Sequence, residues 1–61
     1  MLIQTDDGSI YTVDIINKVI VGGVFPQPVQ YVSAMLIIGC QGCVYLPNGA
    51  MIPIGMVVGY C

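Results

Sequence analysis

Arginine, histidine, glutamate and tryptophan are absent from this chain, and lysine occurs once. The charged side chains are Asp6, Asp7, Asp14 and Lys18, for a formal net charge of −2. Neutralising a phosphate backbone takes clustered Arg and Lys, so no nucleic-acid partner is expected. General acid-base work needs a pocket, proton-moving groups and groups that position a substrate. One Lys and three Asp offer few candidates, so no catalytic residue, cofactor or small-molecule substrate is expected. The missing Glu also removes the closing ligand of a calcium loop, and Asp6-Asp7-Gly8-Ser9 reads as a turn with two solvated carboxylates. Gly22-Gly23 and Gly39 to Gly42 lack the Lys-Ser/Thr or strand-to-helix setting of a phosphate-cradling loop. Met1 to Gly8 has no basic n-region and its apolar stretch ends at Asp6, so synthesis in the cytoplasm without a secretory signal is the expectation.

What the chain has in excess is apolar surface. Hydrophobic residues make up 57% of 61 positions, and the mean hydropathy is +0.95. A folded monomer of this size exposes about 3,800 Å², which spreads the charges to roughly one per 1,000 Å². Ordinary soluble surfaces carry far more. The apolar surplus therefore forms exposed patches of the kind that mark protein or membrane contacts. So small a domain buries only about 60% of its unfolded surface and commonly borrows stability from disulfides, metals or oligomerisation. Oligomerisation suits this composition best.

Val and Ile together number 18 against three Leu, with four Tyr and eight Gly. β-Branched and aromatic side chains fit a pleated, half-buried surface, so the expected class is all-β, a small antiparallel sheet, sandwich or barrel of short strands. Asp7-Gly8 and Asn48-Gly49, each between apolar stretches, predict two hairpins in which both turn positions tolerate positive φ. In the first, Tyr11, Val13 and Ile15 share one face while Ile10, Thr12 and Asp14 share a wetter one. Val19-Ile20-Val21 reads as a third strand buried on both faces. Thr5 to Ile10 and Leu46 to Met51 are alike in pattern, which either a duplicated hairpin module or convergent turn chemistry explains.

The two prolines of Phe25-Pro26-Gln27-Pro28-Val29 remove ladder donors and predict a linker or arm over 25–29, dividing one domain into 1–24 and 30–61. Gln30 to Ile38 fits a single long strand or a short helix, with the strand favoured by the glycine-rich turn that follows. Pro53 makes Met51 to Ile54 an edge strand.

Cys40-Gln41-Gly42-Cys43 has the spacing with which two sulfurs grip one metal or form a redox disulfide, and Cys61 is a third thiol. A closed zinc site needs four ligands, and no His is present to be the fourth. Small apolar residues at a tight turn are the favoured reading of these cysteines. Val19 to Cys61 carries no charge, which keeps a membrane-associated protein as the alternative. Its best window, Val29 to Leu46, is interrupted by Gln, Ser and Gly, and the Gly55 to Gly59 tail is too short to span.

Aromatic and Met side chains are enriched, and charges depleted, at buried contacts between subunits. Phe25, Pro26, Pro28, Tyr31, Tyr45, Met51, Ile52, Met56, Val57, Val58 and Tyr60 are the expected contact residues. Strand addition within a homo-oligomer or larger assembly is the expected mode. By elimination, the expected role is a non-catalytic component of a virus particle, such as a bacteriophage capsid decoration or cement protein or a minor tail protein. A Cys-x-x-Cys metal or redox adaptor is the third reading.

Overall fold

The computed structural model describes residues 1–60. These form seven strands and no helix: β1 (Leu2–Thr5), β2 (Ile10–Asp14), β3 (Val19–Gly22), β4 (Phe25–Gln30), β5 (Ser33–Met35), β6 (Gln41–Tyr45) and β7 (Met51–Tyr60). Every pairing is antiparallel, and the spatial order β4-β3-β2-β1-β7-β6-β5 makes one sheet, curled into a half-barrel. The all-β expectation therefore holds.

Both expected hairpins form, with a different turn from the one expected. The Gly8 N–H donates to the Thr5 carbonyl at 3.0 Å and the Gly49 N–H to the Leu46 carbonyl at 3.0 Å. Only the glycines take positive φ, at 87° and 90°. Each loop is thus a tight turn closed by one left-handed glycine, the three-residue hairpin connection rather than the two-residue one. In both, the side chain before the glycine caps the turn: the Ser9 N–H donates to Asp7 Oδ1 at 3.0 Å and the Ala50 N–H to Asn48 Oδ1 at 2.9 Å. The likeness of Thr5–Ile10 to Leu46–Met51 is a likeness of hydrogen-bonded turn geometry.

The alternation expected of β2 is present: Tyr11 and Val13 are buried while Ile10, Thr12 and Asp14 are exposed. Ile15 departs from it, because β2 ends at Asp14 and Ile15 lies exposed in the following loop. In β3 only Ile20 is fully buried, since a single curled sheet provides no second layer to cover the other face. The segment 25–29, expected as a linker, is strand β4, paired with β3 through Ile20↔Val29 and Gly22↔Phe25. Proline's fixed φ and missing donor suit an edge strand, and β4 is the edge. Of 30–38, expected as one strand, only Ser33–Met35 forms β5.

The reason for that break is the curl. The Tyr31 N–H donates to the Lys18 carbonyl at 2.9 Å and the Val32 N–H to the Tyr45 carbonyl at 2.8 Å. Within two residues the chain passes from a partner just before β3 to a partner in β6, so the two edge strands β4 and β5 follow one another in sequence. β7 makes the opposite corner: its first half pairs with β6, its second half with β1, and Gly55 at the bend has φ 89°. Pro53 accordingly sits in a half-strand with one neighbour, the local edge that its missing N–H implies. The concave side holds the core, Ile3, Tyr11, Val13, Ile20, Phe25, Tyr31, Val44, Ile54 and Val57, with Thr5 buried among them. Tyr11 meets Phe25 edge to face at 6.2 Å and 70°. Its ring lies over Gly23, where a Cβ would collide with it.

Candidate functional site

The convex side of β5-β6-β7 is built by register. Residues directly opposite across an antiparallel ladder share a face. The pairings Ser33↔Tyr45↔Met51 and Met35↔Cys43↔Pro53 therefore lay out two adjacent three-residue rows, with Gln41↔Met56 beside them. The alternate positions Ala34, Val44, Ile52 and Ile54 turn inward against the core. A bulge between Gly42 and Cys43 keeps Pro53 and Met56 on the same side although they are three positions apart. Tyr45, Met51, Met35 and Met56 are all more than two-fifths exposed. The face holds three of the four methionines and no charge. Asp6, whose N–H donates to the Met56 carbonyl at 2.9 Å and whose carboxylate lies against Gly55, is the charge at its border.

The Cys43 thiol, two residues from Tyr45 on the same side of β6, raises the Tyr45 phenol above its ordinary value, first through a hydrogen bond and then through thiolate repulsion. A phenol is already protonated at neutral pH, and this shift extends that range upward. The carboxylates are instead occupied in turns. Hydrogen bonds from the Thr5 hydroxyl, at 2.6 Å, and from Ser9 hold Asp7 below the usual carboxylate value. Asn17, through its backbone N–H at 3.0 Å and its side-chain amide at 2.9 Å, does the same for Asp14.

The residues expected to make contacts divide into four groups. Tyr45, Met51 and Met56 are brought together on the β5-β6-β7 face. Phe25, Tyr31 and Val57 are buried, and Ile52 is partly buried against the core, so these four stabilise the fold and offer little to a neighbour. Pro26 and Pro28 are exposed on the β4 edge. Val58 and Tyr60 are half exposed near the end of β7, and the Tyr60 hydroxyl donates to the Leu36 carbonyl. Sequence reading missed Met35, Ser33 and the role of Cys43 as a face residue, because cross-strand register is invisible in a one-dimensional pattern. It also missed the exposed Ile15 and Ile16 loop and Ile37-Ile38.

Cys40 and Cys43 are free thiols, the first exposed in the turn before β6 and the second within β6 between Met35 and Pro53. No cluster of three metal-ligating side chains occurs among the described residues, and Cys61 lies outside them. No helix among the described residues is long and apolar enough to cross a membrane.

The fold and site together define a class: a minimal antiparallel half-barrel with an uncharged Met-, Tyr- and Pro-bearing sheet face. No protein-family model, characterised protein or solved structure matches the chain.

Proposed function

We propose that this protein is a non-catalytic assembly subunit that joins neighbouring protein chains through the convex β5-β6-β7 face. The observation that carries the reading is the segregation of charge: all four charged side chains lie within Asp6 to Lys18, while the two cross-strand rows of the face are uncharged and exposed. Met and Tyr in a charge-free patch are the composition of an interface core, and an exposed apolar patch of this kind on a small soluble domain marks a contact site. Side-chain packing is favoured over the strand addition expected from sequence. Pro26 and Pro28 strip donors from the β4 edge, Pro53 does so on the open side of β7, and β5 is three residues long. Proline and brevity are the devices that keep sheet edges from pairing. In its most specific form the proposal is a virus-particle component, a decoration, cement or minor tail piece, supported by the scarce charge and the exposed uncharged face.

The methionine methyl groups provide the test. With the chain labelled at Met Cε, a soluble paramagnetic agent broadens exposed methyls. The expected result is that Met35, Met51 and Met56 become shielded together as concentration rises. Three methyls that stay accessible at every concentration contradict the proposal.

A further inference from the structure

A second apolar region is built by other parts of the chain. The β2–β3 hairpin tip carries Ile16, 93% exposed, more than any other large apolar side chain among the described residues. The tip is held stiffly. Asp14 Oδ1 accepts the N–H groups of Ile16 at 3.1 Å and Asn17 at 3.0 Å, the Asn17 side chain returns a bond to Oδ2 at 2.9 Å, and Lys18 closes the loop with φ 55°. The hydrogen bonds order the hairpin backbone, and a β-branched side chain has little χ1 freedom to lose, so an apolar knob presented on this tip is suited to insertion. Ile15, beside it, separates two shallow depressions that share Met1 as a wall, and the second continues along Lys18, Val32 and Leu36. Knob and groove are thus neighbours on one surface.

Charge selects the occupant. The groove holds the chain's single cationic side chain, Lys18, whose ammonium donates to the Val32 carbonyl at 3.3 Å, with the Met1 ammonium, bonded to the Val13 carbonyl at 3.2 Å, at the shared wall, and the knob has one charged side chain at its base, Asp14. Acceptor and donor of an ion pair stand at the two ends of one five-residue hairpin. A two-fold axis through the Ile15 region would set each Asp14 opposite the other copy's Lys18, the reciprocity that an isologous contact requires. We infer that the Asp14–Lys18 hairpin is a self-association element: Ile16 of one copy seats in the groove between Met1, Val32 and Leu36 of a second copy, and the reverse. The seated isoleucines supply apolar burial, and the Asp14–Lys18 pairs fix orientation more than strength. This contact rests on the assembly reading and uses different residues from Tyr45 and Met51. Two distinct contacts on one subunit build assemblies larger than a dimer.

The experiment compares the full chain with Ile16→Asp and Tyr45→Lys, each labelled at Met Cε, by solvent paramagnetic broadening and light-scattering mass. Ile16→Asp is expected to re-expose Met1 alone and to lower the mass by about half, the loss of one two-fold contact. Tyr45→Lys is expected to re-expose Met35, Met51 and Met56 and to leave Met1 shielded. Ile16 makes no core contact, and Ile16→Ser, with unchanged circular dichroism, serves as the milder second variant. An Ile16→Asp chain of unchanged mass with Met1 still shielded overturns the inference, whatever Tyr45→Lys does. Insertion of Ile16 into neutral lipid vesicles with no effect of its substitution on mass overturns it as well.

Discussion

At the scale of single residues, three short polar side chains and a few glycines carry the turns. Asp7 and Asp14 sit below the ordinary carboxylate value of 3.8 because each accepts hydrogen bonds in its charged form. A carboxyl depressed by folding adds stability that is fully present above its unfolded value and disappears as pH falls through the lower folded one. Thermal unfolding followed by circular dichroism is therefore expected to give a constant midpoint from neutrality down to about pH 4, with a decline below it. Asp7→Asn keeps the acceptor for Ser9 and removes the titration, so its decline is expected to be shallower. A wild-type midpoint that does not fall below that pH contradicts the assignment. Thr5→Val is expected to bring the Asp7 titration, followed by NMR, back toward its ordinary value. The glycines separate by environment. At Gly23, with φ 52° and the Tyr11 ring where a Cβ belongs, substitution by Ala is expected to destabilise by about 3 kcal/mol. Gly59 has open space around it and no left-handed φ, so Gly59→Ala is expected to be neutral or to stabilise by about 0.5 kcal/mol. Denaturant titration of the pair checks both values.

At the scale of elements, strands and hairpins were legible because their signals are local. Asp-Gly and Asn-Gly between apolar stretches place both hairpins, and period-two alternation orients Tyr11 and Val13 inward. Pro26 and Pro28 were misread because the same two residues mark a linker or an edge strand, and only the pairing of Val29 with Ile20 decides between them. Phe25, Tyr31 and Val57 illustrate the same limit: an aromatic or Val in an apolar stretch has no local mark that distinguishes core from surface. The corner at Tyr31–Val32 depends on Lys18 and Tyr45, each more than a dozen positions away, so it cannot be seen in the segment itself. The edges themselves are testable. Pro26→Ala with Pro28→Ala restores two backbone donors to β4, and the double variant is expected to aggregate faster than the parent, seen as rising turbidity and thioflavin fluorescence at equal concentration. Equal aggregation rates would show that the prolines do not guard the edge.

At the scale of the whole molecule, a surface of 3701 Å² surrounds a core of about ten side chains, and its charge is confined to the stretch from Asp6 to Lys18. The apolar surplus and the scarcity of charge were legible in composition, whereas the face on which they gather was not. That face arises from three strands joined only by register, and it includes Met35 and Cys43, which have no distinguishing context in sequence. A marginal core and an uncharged face point the same way, because burying the face adds the stability that so small a core lacks. The most direct measurement is the absolute mass of the full chain at micromolar concentration, by light scattering on gel filtration, beside a Tyr45→Lys/Met51→Lys variant. A discrete multiple of 6.5 kDa that falls in the folded variant is the predicted result. A wild-type chain that elutes as a stable, well-folded monomer would contradict the account.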